Sequence, residues 1–161
     1  MYVSLMEPSV YVETSVIGYL AADISQDLIV AAHQRVTHEW WGRREGYRLF
    51  VSELVLQEVS AGHEGHAARR LDVVAGLPVL TLREDATRLG DALTTQGPLP
   101  ANAGADALHI ALAAVHGIEF LVTWNMRHIA NATMRARIER TCRVNGADPP
   151  VLCTPEELLG E

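Results

Sequence analysis

Ala103-Gly104-Ala105-Asp106-Ala107-Leu108-His109-Ile110-Ala111-Leu112-Ala113-Ala114-Val115-His116-Gly117 reads as an Ala-rich, nearly all-apolar helix ended by a glycine, with one carboxylate, Asp106, in its first turns. That is an odd place for a charge. Burying an unpaired carboxylate costs several kcal/mol, so Asp106 must reach the surface, find a partner or hold a cation. Behind the helix, Phe120-Leu121-Val122-Thr123-Trp124-Asn125 is a short apolar strand that stops in polar residues. The fold follows from how often such a unit repeats.

Upstream, Val10-Tyr11-Val12 is a β-branched and aromatic run that passes through Glu13-Thr14-Ser15 into Val16-Ile17-Gly18-Tyr19-Leu20, a strand, polar turn and helix with Thr14 or Ser15 placed to cap. Glu13 then sits at the carboxyl end of the first strand. Apolar residues recur at helical spacing from Asp27 to about Arg44, which predicts a long helix closed between Gly42 and Gly46. Residues 47–51 form the second strand, and Ser52 caps a helix over 53–60 in which Glu58 shares a face with Leu54. Gly62-His63-Glu64-Gly65-His66 breaks that helix, a further one runs to about Val74, and residues 77–80 form a third strand. Thr81-Leu82-Arg83-Glu84 reads as a capping box opening a helix through about Thr95. After a Pro/Gly loop at 96–100 come the Asp106 helix, the fourth strand and a basic helix from about Asn131 to Arg143. Val151-Leu152 is a last edge strand, and Thr154-Pro155-Glu156-Glu157 opens a short final helix.

This alternation predicts an α/β fold, a mainly parallel five-stranded sheet covered on both faces, in one domain spanning residues 1–161. The length of 161 residues suits a single core that needs no staples. No apolar run approaches the roughly 20 residues of a membrane span, and Met1-Tyr2-Val3-Ser4-Leu5-Met6-Glu7 lacks the basic and apolar regions of a leader, so a cytoplasmic protein without membrane contact is expected. Cys142 and Cys153 have no C-x-x-C spacing and read as reduced thiols.

The net charge of −7 argues against coating nucleic acid by electrostatics alone, without excluding an enzyme that acts on it. All thirteen basic side chains are Arg, and they cluster, Arg43, Arg44 and Arg48 in one place, Arg127, Arg135, Arg137, Arg140 and Arg143 in another. Arginine forks suit phosphate, and solvated helix faces are the alternative use of both clusters.

In open parallel sheets ligands bind beyond the carboxyl ends of the strands, where strand order reverses. If the first and fourth strands are neighbours there, Glu13 and Asn125 enter one crevice, and Glu58 and Asp106 can reach its rim. Three carboxylates and an amide, with no Lys in the chain to pair them, repel one another unless something positive fills the site. An oxygen-only set points to Mg²⁺ or Mn²⁺, which polarises a phosphoryl group and activates water. That is phosphodiesterase chemistry.

The same residues carry a family resemblance. Val-Tyr-Val-Glu13-Thr-Ser, Ser-Glu-Leu-Val-Leu-Gln-Glu58, Asp106-Ala-Leu-His-Ile-Ala and Phe-Leu-Val-Thr-Trp-Asn125 resemble, in order and spacing, the motifs of PIN-domain proteins, and most of all those of VapC-type toxins of bacterial toxin–antitoxin pairs. The resemblance spans almost the whole chain. It implies a metal-dependent endoribonuclease on a three-layer α/β/α PIN-like domain, usually a homodimer and held inactive by a cognate antitoxin. It places Glu13, Glu58 and Asp106 on the metal, Thr14 or Ser15 as the small polar residue beside the first, and Asn125 either orienting water or completing the shell. Arg127, Arg135 and Arg137 are assigned to the RNA backbone. Two positions depart from the pattern: the first is commonly Asp where this chain has Glu13, and the fourth is often acidic where it has Asn125, which favours one tightly held ion.

Taken singly, each residue has a plainer use. Asp106 can be a helix-start carboxylate favoured by the dipole, Glu58 a solvated helix residue and Glu13 a turn residue; the ordered set is what argues for a site. His109, on the face of Asp106, reads as a packed, hydrogen-bonded histidine, and His63 with His66 lacks the further ligands of a zinc site. Trp40, Trp41 and Trp124 can stack bases, although buried or dimer-facing aromatics are commoner. No G-x-G-x-x-G follows the first strand and there is no phosphate loop. Beside the ribonuclease stands an alternative from another class, a catalytically weakened PIN-fold module that binds RNA or protein.

Overall fold

The computed structural model describes residues 6–160. Residues 1–5, which carry most of the segment read above as lacking a leader, and residue 161 lie outside it. Strands β1 (Ser9–Val12), β2 (Arg48–Ser52), β3 (Val79–Leu80), β4 (Phe120–Val122) and β5 (Val151–Cys153) form one sheet in the order β3-β2-β1-β4-β5, and every pairing is parallel. The expectation of a mainly parallel sheet is thus met in full. Helices α1 (Thr14–Ala21) and α2 (Leu28–Trp41) carry the chain from β1 to β2, and α3 (Glu53–Val59) and α4 (Glu64–Val74) carry it on to β3. Helices α5 (Glu84–Thr95) and α6 (Gly104–Val115) return past β1 to β4, α7 (Ala132–Val144) leads to β5, and α8 (Pro155–Leu159) follows.

The layers follow from handedness. The first two crossovers step one way along the sheet and the last two the other, so right-handed connections put their helices on opposite faces. The principal helix contacts agree, with α1 on α2, α3 and α4 in one layer and α5 on α6 and α7 in the other. Central β1 is covered on both sides, and Val10, Tyr11 and Val12 have no exposed surface. Helix α6 buries Ala107 and the run from His109 to Ala114, as its composition predicts. It ends at Gly117, whose φ of +69° lies in the left-handed region that glycine enters without strain.

Capping agrees with the sequence at two helices, α3 and α8, adds Asp27 at the start of α2, where the sequence assigned no cap, and departs from it at two. Asp27 accepts from Ile29 N and Val30 N, Ser52 from Val55 N, and Thr154 with Glu157 completes a full capping box at α8. The capping box expected at Thr81 does not form. Helix α5 starts at Glu84 with Arg83 as N-cap, because residues beyond β3 stay extended: the Thr81 carbonyl accepts from His116 Nε2 and Leu82 N donates to Glu53 Oε2. At α1 neither Thr14 nor Ser15 caps. The N-cap is Glu13, whose side chain accepts from no backbone N–H of the first turn, and both hydroxyls are turned towards carboxylates.

Candidate functional site

Strand order reverses between β1 and β4, and Val12 pairs with Val122 as the last residue of each strand. One residue on, Glu13 N still donates to Val122 O at 3.1 Å, so Glu13 and Thr123 leave the sheet side by side. The Glu13 carboxylate folds inward and is only 6% exposed. Its Oε1 accepts from Ser15 Oγ at 2.5 Å and from Thr123 Oγ1 at 2.5 Å. Those hydroxyls accept in turn from Trp124 N and Asn125 N, each at 2.9 Å. Backbone dipoles of the β4 exit thereby reinforce both bonds to the carboxylate.

Glu58 lies in the last turn of α3. Its Oε1 accepts from Thr14 Oγ1 at 2.5 Å and lies 2.7 Å from His109 Nε2. Burial opposes its ionisation, but the hydrogen bonds and charge interaction with His109 and the bond from Thr14 outweigh it, holding the carboxyl below its ordinary value. His109 Nδ1 lies 2.6 Å from the Tyr11 hydroxyl, which lies 2.7 Å from Ser52 Oγ. Burial pushes the Tyr11 phenol well above its usual range, so it keeps its proton.

Asp106 and Asn125 are drawn to a different partner. Asp106 Oδ2 sits 2.8 Å from His128 Nδ1, and Asn125 Oδ1 accepts from His128 N at 3.0 Å. The Asn125 carbonyl also accepts from Ile129 N and Ala130 N, so the residue nucleates the turn after β4. Glu13, Glu58 and His109 each offer a ligand atom within 4.8 Å of the others, and among the described residues Asp106 stands outside that group. The four positions read from sequence therefore form two pairs: Glu13 with Glu58, and Asp106 with Asn125 through His128.

Sequence reasoning missed Thr123, Tyr11, Ser52 and His128 as site residues. Tyr11 and Ser52 carry a weak signal, a hydroxyl at a core position of a strand, where it must find a partner. His128 carries none, because its pairing depends on the start of α6 lying against the turn after β4.

Arg127 is exposed two residues beyond Asn125, Arg137 is exposed on α7, and Arg135 is half-buried with an Nε that has no hydrogen-bond partner. The other arginine cluster is far from this edge. Arg48 opens β2 at the amino ends of the strands, where it donates to Glu7 O, and Arg44 lies over the Trp41 ring. Trp124 is not free to stack a base: it is 7% exposed, stacks on His33 at 4.1 Å and donates to Thr37 Oγ1. His63 caps α4 by accepting from Gly65 N, which gives it a structural use in place of zinc.

Hydroxyls serve Oε1 of Glu13, a hydroxyl and an imidazole serve Oε1 of Glu58, and among the described residues no Arg is paired with either carboxylate. Two carboxylates brought this close, with no hydrogen bond to either Oε2 among the described residues, suit a small hard cation. The class this defines is an all-parallel α/β domain with an acidic site where strand order reverses. The chain belongs to the PIN domain family, whose model matches residues 10–132.

Two solved structures illustrate the likeness. One is VapBC2 from Rickettsia felis bound to a DNA fragment from its promoter, with 18% identity, a TM-score of 0.53, and 74% of this chain and 89% of that one covered. The other is VapC20 of Mycobacterium tuberculosis, described as a Sarcin-Ricin loop cleaving toxin, with 18% identity, a TM-score of 0.54, and 70% and 86% covered. At that identity the likeness is one of fold. No curated protein matches the chain in sequence.

Proposed function

We propose that the chain, as one PIN-like domain over residues 1–161, is a Mg²⁺- or Mn²⁺-dependent endoribonuclease of the VapC toxin type, cytoplasmic, homodimeric and restrained by a cognate antitoxin. The observation that carries this reading is the meeting of Glu13 and Glu58 at the strand-order reversal with, among the described residues, no basic partner for Glu13. That the similar M. tuberculosis protein is a Sarcin-Ricin loop cleaving toxin supports the substrate class. No helix among the described residues is long and apolar enough to cross a membrane, which accords with the proposed location.

Glu13 and Glu58 would hold the ion through Oε2, with Asp106 joining them by turning away from His128. When bound, the ion supplies the positive charge that polarises a phosphoryl group and makes water acidic enough to attack it. Ser15 and Thr123 fix Glu13, and Thr14 fixes Glu58, so the carboxylates need little reorganisation on binding. Asn125 sets the turn that carries His128 to Asp106 and Arg127 to the rim. Arg127 would meet the RNA backbone, with Arg135 and Arg137 extending the track along α7; losing one such contact lowers the salt dependence of binding by about one unit of slope.

A second reading is favoured by one observation. Asn125 Oδ1 is spent on His128 N and Asp106 on His128 Nδ1, which leaves two of four positions engaged elsewhere and fits a module that binds RNA or protein without cutting. Cleavage of a pool of structured and single-stranded RNAs with Mn²⁺, Mg²⁺ or EDTA, beside Asp106→Ala, separates the two. Metal-dependent cleavage lost in the variant establishes the nuclease; equal inertness with retained binding leaves the module.

A further inference from the structure

Four buried or half-buried groups form a hydrogen-bonded path that leaves α3 at its start and returns to it at Glu58. Val55 N donates to Ser52 Oγ at 3.1 Å, Ser52 Oγ meets the Tyr11 hydroxyl at 2.7 Å, Tyr11 meets His109 Nδ1 at 2.6 Å, and His109 Nε2 meets Glu58 Oε1 at 2.7 Å. Tyr11 and Ser52 are fully buried and His109 is 1% exposed. Three elements contribute: the β2–α3 junction, central β1 and α6.

Valence fixes the direction at the carboxylate: an ionised carboxylate only accepts, so His109 Nε2 carries the hydrogen. The other ring nitrogen, Nδ1, meets the Tyr11 hydroxyl, whose oxygen meets Ser52 Oγ, and that oxygen accepts from Val55 N. Both ring nitrogens of His109 are therefore taken, and it has no lone pair for a metal although it lies among the ligand atoms.

We propose that His109 is a positioning residue, held in place by the Tyr11 hydroxyl, and that the Ser52–Tyr11–His109 path fixes the Glu58 carboxylate so that Oε2 faces the cation. The proposal rests on the metal-site reading above. It extends to this chain the general behaviour of groups that orient a ligand from behind: their loss weakens metal binding by about 10–100-fold while the ligands remain.

The test is a Mn²⁺ titration of the full chain, followed by electron paramagnetic resonance, for wild type and Tyr11→Phe, with thermal melts and electron spin-echo spectra of the bound ion alongside. Tyr11→Phe is expected to weaken Mn²⁺ binding by about tenfold in a chain that remains folded, and the wild-type echo spectrum to show no directly bonded nitrogen. Equal affinity in the two proteins overturns the proposal alone. Nitrogen coupling from a coordinated imidazole overturns it as well, because His109 is then a ligand. A wild-type chain that binds no Mn²⁺ overturns the metal reading and the proposal with it. If Tyr11→Phe does not fold, His109→Leu replaces it under the same criteria.

Discussion

Glu58 and Asp106 are the same kind of residue in the same kind of place, and the structure treats them differently. Each is a carboxylate on a helix that borders the carboxyl end of the sheet, and each meets a histidine, at 2.7 Å for Glu58 and 2.8 Å for Asp106. The histidine of Glu58 has a side chain 2% exposed and is anchored through Tyr11 to a helix cap. The histidine of Asp106 is 17% exposed and hangs on a turn held by Asn125. Both carboxylates stay partly exposed, Glu58 at 31% and Asp106 at 25%, but one is tied to a partner in the core and the other to a partner at the rim. A site that must grip an ion and also let it enter needs both kinds.

Cleavage gives the largest expected effects. Glu58→Ala and Asp106→Ala should each lower metal-dependent RNA cleavage by more than about 100-fold, since ligand loss exceeds the loss of an orienting partner. A Glu58→Ala protein that cuts RNA as wild type does would break the comparison at its root.

Stability separates the two histidines next. His109→Ala leaves a buried gap, takes one hydrogen bond from each of Tyr11 and Glu58, and should cost about 3 kcal/mol in urea unfolding. His128→Ala, at the rim, should cost no more than about 1 kcal/mol. Equal losses would show that both carboxylates are held alike.

A smaller effect is expected away from the site. A Cβ on Gly97 would lie 2.7 Å from Leu93 O and 3.0 Å from Thr141 Oγ1, where α5 ends against α7. Gly97→Ala should therefore cost about 1–3 kcal/mol by overpacking, read from the same unfolding curves.

The pH dependence is gentler and has a definite sign. The folded-state pKa of Glu58 is lowered, so its contribution to stability is fully present above its ordinary value of 4.5 and is lost as pH falls through the folded value. The stability gap between wild type and Glu58→Gln should close in acid, and a gap constant from pH 7 to pH 3 would remove the His109 pairing as its cause. The thiols should change least. Burial pushes Cys142 up to about 11 and Cys153 up to about 12, so neither should react with a thiol reagent at neutral pH until the chain unfolds.

Local chemistry made much of this legible before any coordinates. The alternation of short apolar strands with helices fixed the α/β class, and handedness with a single reversal left few places for a site. Glu13 was legible because it ends a strand that cannot carry a charge further into the core. The capping box at Thr154 formed as written, because its partners are three residues apart and need no help from elsewhere. The same signal failed at Thr81, where contacts from Glu53 and His116 kept the chain extended. Long-range bonds there outweighed a local preference worth about 1 kcal/mol.

By itself, then, the sequence singled out the candidates, Glu13, Glu58, Asp106 and Asn125, and the strand ends and helix faces that present them. Tertiary structure alone decided how they are partnered. Thr14 and Ser15 serve carboxylates in place of a helix end, Asp106 and Asn125 share His128, and His109 joins Tyr11, 98 residues away in the chain. The physical reason is range. Periodicity and capping act within a turn or two of backbone, whereas the buried hydroxyls and imidazoles must be satisfied by whatever the packed layers bring near, and no local pattern encodes that.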